Sequence, residues 1–161
     1  MITLRQDQGQ PEIVLEPMTA DAAKILGNAF AEIDPWARYP YPASALEGYF
    51  GGNETGAPRY CVRVGGALAG AVGVREVWLR GPYLQFLGIL PSFQRLGIGK
   101  FILEWFEAAA RQRDDRNLWV AASDFNSDAI RFYERFGFAR VANLEDLVRD
   151  GKTELLLRKR L

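Results

Sequence analysis

Histidine occurs nowhere in the 161 residues. Ser-His-Asp and Cys-His catalysis are therefore excluded, and with them every zinc site that needs imidazole. Cysteine occurs once, at Cys61, so no internal disulfide can form. Set between Tyr60 and Val62, that thiol reads as a core or half-buried group rather than a reactive one. Net charge is missing too. Twenty basic side chains balance 20 acidic ones, which argues against nucleic acid or an anionic membrane as the main partner. No apolar run approaches the roughly 18 residues of a membrane span. The opening MITLRQDQGQPE is polar and lacks the apolar region of a secretory signal. The expectation is a cytoplasmic protein without a nucleic-acid or membrane partner.

What is present suffices for a packed core. Apolar residues make up 48% and aromatics 12%, which argues against disorder, and the length suits one domain spanning residues 1–161. Glu12 to Glu16 alternates weakly and reads as a strand. Asp21 to Ile33 carries Ala22, Ile25, Leu26, Ala29, Phe30 and Ile33 near helical period. The segment Asp34 to Pro42 is rich in proline and aromatics, so continuous helix is not expected there. A short helix opens at Ala43 or Ser44 and ends near Gly51, before a Gly-rich loop. Arg59–Val64 and Ala67–Arg80 read as a hairpin joined at Gly65-Gly66, with Gly81-Pro82 as the next break. Leu118 to Ala122 is a buried strand by composition. Asn126 can cap a short helix that Gly137 ends. Phe138–Val141 and Thr153–Arg158 close the chain as strands, the latter after an Asp150-Gly151 turn. The pattern predicts an α+β or mixed α/β sheet with helices on both faces, its second half a β-α-β-α-β unit.

The stretch from Tyr83 to Trp105 organises the rest. Leu84 to Leu90 is an apolar run that reads as a buried strand, and Pro91 stops it because proline cannot donate to a central ladder. Gly88 interrupts the run, the mark of a bulge or a close backbone approach. After Gly97 and Gly99, Ile98, Phe101, Ile102 and Trp105 fall at helical spacing. Strand, Gly-rich turn and helix leave free N–H groups and partial positive charge at the helix start, where phosphate binds well. This is no Walker A loop: Gln94 stands where its first glycine belongs and Phe101 where its hydroxyl belongs. It is no dinucleotide fingerprint either, since Ile102 replaces the third glycine.

Gln94-Arg95-Leu96-Gly97-Ile98-Gly99 resembles the Q/R-x-x-G-x-G/A pyrophosphate loop of the GNAT superfamily of acyl-CoA-dependent N-acyltransferases. Asn126 to Phe138, NSDAIRFYERFGF, resembles that family's N-x-x-A-x-x-F-Y-x-x-x-G-F signature, and the two motifs come in the family's order. The resemblance covers about Ile13 to Arg158 and is densest in residues 83–138. It implies a central mixed, mostly antiparallel sheet of about seven strands, splayed between the fourth and fifth and flanked by about four helices. It also implies acetyl-CoA as acyl donor, an amine acceptor and no metal, and it allows a homodimer. Carried over residue by residue, Gln94, Arg95, Leu96, Gly97, Ile98, Gly99 and Lys100 would hold the phosphates. Leu87, Gly88 and Ile89 would line the splay that receives the pantetheine, Asn126 would contact the cofactor, and Tyr133 would protonate the departing thiolate. Outside the pattern, Tyr133 reads as a core tyrosine and Asn126 as a helix cap.

The base is not readable. Several family members use a glutamate on the central strand, yet residues 83–90 hold no carboxylate, and Gln85 is no base at neutral pH. Glu32, Asp34, Glu54, Glu76 and Asp124 remain candidates, directly or through an ordered water. The same gap favours an alternative function, a non-catalytic acyl-CoA-binding or regulatory module of this fold. Trp36, Tyr39, Tyr41, Tyr49 and Phe50 either wall an amine pocket or pack the core.

Overall fold

The alternating segments of the sequence join in one sheet. The computed structural model describes residues 1–161 apart from Gln8 and Pro40. Among the described residues there are eight strands: β1 (Ile2–Arg5), β2 (Ile13–Pro17), β3 (Arg59–Val64), β4 (Ala67–Trp78), β5 (Gly81–Ile89), β6 (Asn117–Ser123), β7 (Ala139–Glu145) and β8 (Thr153–Arg160). Four α-helices flank them: α1 (Ala20–Ala31), α2 (Ala43–Phe50), α3 (Ile98–Gln112) and α4 (Ser127–Arg135). The strand order is β1-β2-β3-β4-β5-β6-β8-β7. All neighbours are antiparallel except β5 and β6, which run parallel. None of the helices among the described residues is long and apolar enough to cross a membrane.

The two faces of the sheet are packed separately. On one, α1 and α2 bring Ala22, Leu26, Phe30, Leu46 and Phe50 onto Cys61, Ala71 and Phe86. On the other, the stripe Ile98, Ile102, Leu103, Phe106 and Ala110 of α3 meets Ile130 and Tyr133 of α4 over Leu84, Leu118, Val120, Leu155 and Leu157. Each fully buried Leu, Ile or Phe contributes about 1.5–3 kcal/mol relative to exposure. Cys61 is fully buried, and burial pushes its thiol up, which makes it a packing residue.

The chain differs from the sequence reading in two places. The polar N-terminal stretch contains β1, which pairs Ile2 with Leu15 and Thr3 with Val14 and rests Ile2 and Leu4 on the α3 side of the core. The expected break at Gly81-Pro82 is instead the start of β5. The turn before it consists of Leu79 and Arg80, with φ of 39° and 65°. Its carbonyls are held by neighbours: Trp119 Nε1 donates to Leu79 O at 3.1 Å and Asn117 Nδ2 to Arg80 O at 3.1 Å. Gln8, in the polar opening, and Pro40, one of the prolines expected to break helix before α2, lie outside the described residues.

One irregularity shapes everything that follows. Leu84 pairs with Val74 and Phe86 with Gly73, so Gln85 is an extra residue in β5, a bulge. Leu84 therefore faces α3 and α4, whereas Phe86 faces α1 and α2. At the same point β5 leaves β6, to which it is registered only through Tyr83↔Trp119 and Leu84↔Val120. β4 follows β5 as far as Gly70↔Ile89. The sheet is thus open between β5 and β6 from Gln85 onward.

Candidate active site

The open side of β5 has backbone groups that β4 does not pair. Leu90 N–H donates to Ala69 O across β4, so by strand alternation the N–H and C=O groups of Ile89 and Leu87 point away from β4, into the gap. Gly88 has no room for a side chain. A Cβ there would stand 2.7 Å from the Phe30 ring and 2.8 Å from Phe86. Of the two readings of this glycine, close approach is the correct one, and the bulge lies three residues earlier.

Pro91–Phe93 form a single 3-10 turn, after which the chain doubles back. Gln94 Nε2 donates to Ile89 O at 3.0 Å, fastening the loop to the end of the strand. Arg95 and Gly97 take left-handed φ of 66° and 74°, and Gly97 is the residue that starts α3. Among the described residues, the N–H groups of Arg95, Leu96, Gly97, Ile98 and Gly99 donate to no backbone carbonyl. The positive end of the α3 dipole coincides with these five free donors. A cavity of about 550 Å³ lies against them, lined by Arg95, Gly97, Ile98, Gly99 and Lys100 on one wall and Phe132, Tyr133 and Arg135 on the other. Lys100 Nζ is exposed and only 3.5 Å from Glu104, a loose pair that leaves it able to meet an anion. Leu96 is half exposed and lines none of the cavities.

Two further cavities continue from this one along β5, and Leu87 lines all three. The middle one, about 410 Å³, lies between Gly88 and Ile89 on one side and Asp34, Arg38 and Asn126 on the other. Asn126 accepts from Ala129 N–H at 3.2 Å through Oδ1, so it caps α4 as the sequence predicts, and the residue also borders the gap. The inner cavity, about 230 Å³, is closed by aromatic groups, Trp36, Tyr39, Tyr41, Tyr83 and Tyr133, together with Glu154. Tyr133 is buried between Phe132 and Phe138, with ring centroids at 5.4 and 5.8 Å. Its hydroxyl makes no hydrogen bond within the protein among the described residues. Burial pushes its pKa well up, with a smaller push from Tyr83, so the group carries its proton throughout the neutral range.

The five aromatic residues singled out between α1 and β3 divide. Trp36, Tyr39 and Tyr41 line the inner cavity, and Trp36 also stacks on Phe86 with centroids 4.6 Å apart. Phe50 is core. Tyr49 lies against Arg59, whose guanidinium carbon is 4.5 Å from the ring centroid.

The carboxylates divide as well. Glu54 pairs with Arg59 at 2.6 Å and Asp34 with Arg38 at 2.8 Å. Of the five candidates from the sequence, Asp34 alone borders any of the three cavities, in the middle one. The carboxylate at the inner cavity is Glu154, from β8, which the sequence reading did not single out. It is 9% exposed. Tyr39 donates its hydroxyl proton to Glu154 Oε1, and Ser123 Oγ donates to the same oxygen at 2.8 Å. Burial, then the bond to Glu154, pushes Tyr39 up to about 12. Tyr41 and Tyr83 are raised by burial and, secondarily, by the Glu154 charge. The available signal was a lone carboxylate in the strand sequence Thr153-Glu154-Leu155-Leu156-Leu157.

This open sheet, with its central strand leading from an N–H-lined helix start to a tyrosine-lined chamber, belongs to a fold shared with acetyltransferases of known structure. The acetyltransferase of Elizabethkingia anophelis, whose crystal structure has acetyl-CoA bound, has the same fold: TM-score 0.69, 16% identity, covering 92% of this chain and 98% of that one. The profile of the Acetyltransferase (GNAT) family matches residues 21–138, and the chain belongs to that family. Among curated relatives it is 29% identical over 110 residues to an uncharacterized N-acetyltransferase of Lactobacillus delbrueckii subsp. lactis, covering 63% of this chain and 64% of that protein. It is 32% identical over 75 residues to the streptothricin acetyltransferase of Streptomyces lavendulae, covering 46% of this chain and 40% of that protein. The matched stretches thus span less than two thirds of either relative. The expected fold is present, with one strand more than the sequence suggested. Because β1 precedes the first strand read from the sequence, the splay between the expected fourth and fifth strands is that between β5 and β6.

Proposed function

We propose that the protein transfers an acetyl group from acetyl-CoA to a primary amine by direct attack within a ternary complex. The observation that carries this reading is the continuity of the groove: five free N–H donors at the start of α3, the unpaired edge of β5 and the chamber beneath Tyr133 adjoin one another along Leu87. In this reading residues 94–100 hold the diphosphate, with Arg95 and Lys100 adding charge. Leu87, Gly88 and Ile89 receive the pantetheine beside Asn126.

The chemistry follows from proton accounting. An alkylammonium with a pKa near 10.4 is almost wholly charged at pH 7 and must pass a proton to an ordered water before its nitrogen can attack. Attack on the thioester carbon forms the C–N bond and an oxyanion, which the N–H at Ile89 is turned to receive. Collapse breaks the C–S bond, the departing thiolate takes the Tyr133 proton, and the surplus proton on the new amide nitrogen restores the tyrosine. Holding amine and thioester side by side contributes much of the rate.

The test is a thermal-shift titration with acetyl-CoA, using Gly97→Glu as the control. A ligand at 100 times its Kd stabilises by about 2.7 kcal/mol, roughly 5–10 °C in a chain of this size. The expected result is a shift in the wild type that is lost in the control, followed by thiol release with some members of an amine panel that includes streptothricin. No shift at millimolar acetyl-CoA would refute the donor assignment. A shift with no amine acetylated would favour the acyl-CoA-binding module instead.

A further inference from the structure

We infer that Glu154 is the counter-ion for a positively charged acceptor, an inference that builds on the acetyl-transfer reading above. Carboxylates are seldom buried without a cationic partner, because the lost hydration must be replaced. Glu154 is 9% exposed and enters no ion pair among the described residues. The cations on neighbouring elements are engaged elsewhere. Arg38 pairs with Asp34 and lies 4.8 Å from the Phe125 ring centroid, and Lys152 lies 5.6 Å from the same centroid. Arg149 donates to Arg38 O, and Arg158 lies over Trp119.

Glu154 is surrounded by hydroxyls and aromatic rings, with no cation paired to it among the described residues. Tyr39 and Ser123 both donate to Oε1. Among the described residues no donor reaches Oε2. The group borders a chamber of about 230 Å³ whose other walls include Trp36, Tyr41, Tyr83 and Tyr133. These are neutral rings whose faces attract cations. The missing partner of a buried anion in an aromatic chamber is a cation. The same chamber reaches Leu87 and Tyr133, so an ammonium held at Glu154 shares it with the thioester of the proposed donor.

The experiment is isothermal titration of benzylamine, 1,4-diaminobutane and their neutral isosteres benzyl alcohol and 1,4-butanediol, with and without excess CoA. Wild type, Glu154→Gln and Ser123→Ala are compared. The wild type is expected to bind at least one amine no less than tenfold more tightly than its alcohol. Glu154→Gln, nearly isosteric and able to keep both hydroxyl bonds, should remove that preference while leaving the alcohol within twofold. Ser123→Ala, which keeps the carboxylate, should retain the preference. An effect on benzylamine assigns Glu154 to the reacting ammonium, and an effect confined to the diamine assigns it to a second cationic group; either supports the inference. A wild type that binds no amine, or holds amine and alcohol alike, overturns it without recourse to a variant. Equal weakening of amine and alcohol by Glu154→Gln also overturns it. An acetyl-CoA thermal shift on the same proteins reports separately on the donor site, so a failure there is not mistaken for a failure here.

Discussion

Replacing Gly88 by alanine adds one methyl group where α1 crosses β5, and the structure allows its cost to be worked out. The new Cβ would stand 2.7 Å from two atoms of the Phe30 ring and 2.8 Å from Phe86, about 1 Å inside an ordinary carbon–carbon contact. Phe30 cannot swing aside. It is fully buried, with ring centroids 4.8 Å from Trp36, 5.3 Å from Phe86 and 6.1 Å from Phe50. The missing space must come from a shift of α1 or of the end of β5, and overpacking of this kind costs about 1–3 kcal/mol. At about 2–4 °C per kcal/mol, a mid-range cost of about 2 kcal/mol lowers Tm by roughly 4–8 °C. Trp36 stacks on Phe86 and borders the inner chamber, so amine KM should rise as well. The assay is thermal and urea unfolding of Gly88→Ala, Phe30→Leu and the double variant. Phe30→Leu vacates the volume that the methyl group needs, so the double variant should be more stable than the sum of the single costs predicts, with a coupling of about 1 kcal/mol. A Gly88→Ala protein melting within about 1 °C of wild type, or costs that simply add, would refute the packing argument and leave the glycine to be explained by its proposed place beside the cofactor alone.

Two other perturbations test separate parts of the molecule. Tyr133→Phe retains the packing against Phe132 and Phe138 and removes only the proton, so kcat should fall by about 10²-fold or more with the acetyl-CoA thermal shift unchanged; unaltered turnover removes Tyr133 from the mechanism. Glu107 bonds Lys159 at 2.5 Å and Arg111 at 2.7 Å. Burial alone would raise its carboxyl, but the contacts from Lys159 and Arg111 outweigh that and hold it below the usual range. A carboxylate depressed by folding adds stability above its unfolded pKa and loses it as pH falls through the folded value. Glu107→Gln should therefore cost about 1 kcal/mol at pH 7, a cost that shrinks as pH falls through the carboxyl's lowered folded value and vanishes below it, measured by urea unfolding at each pH. A gap that persists in acid would show that the side chain matters for its packing rather than its charge.

The parts of the site that could be read in advance are those encoded locally. Pro91 stopping a strand, Gly97 turning left-handed and the apolar stripe from Ile98 are consequences of neighbouring residues, and so is the Asn126 cap. What stayed hidden depends on partners far along the chain. β1 offers only Ile2 and Leu4 as a pattern, and its existence is decided by pairing with β2. The bulge at Gln85 is a matter of register against Val74 and Gly73, which no run of β5 residues reveals. Glu154 matters because Tyr39 and Ser123 reach it across 115 and 31 residues of sequence. The aromatic segment resisted a single reading because it has two fates, with Trp36, Tyr39 and Tyr41 turned to the chamber and Phe50 to the core.

The position of β8 bears on how the groove comes to exist. It is the last strand in chain order, yet it lies between β6 and β7 and not at an edge. As the polypeptide is synthesised, β2 to β5 each pair with the strand before them. β6, by contrast, has only its two-residue register with β5 until β8 arrives to pair with it along seven positions, Asn117↔Arg160 through Ser123↔Glu154. Long-range pairing of this kind forms late. The far wall of the cleft and the carboxylate at its base are therefore delivered by the same strand in the same step, so a nascent chain should acquire the loop proposed for the donor before the chamber proposed for the acceptor.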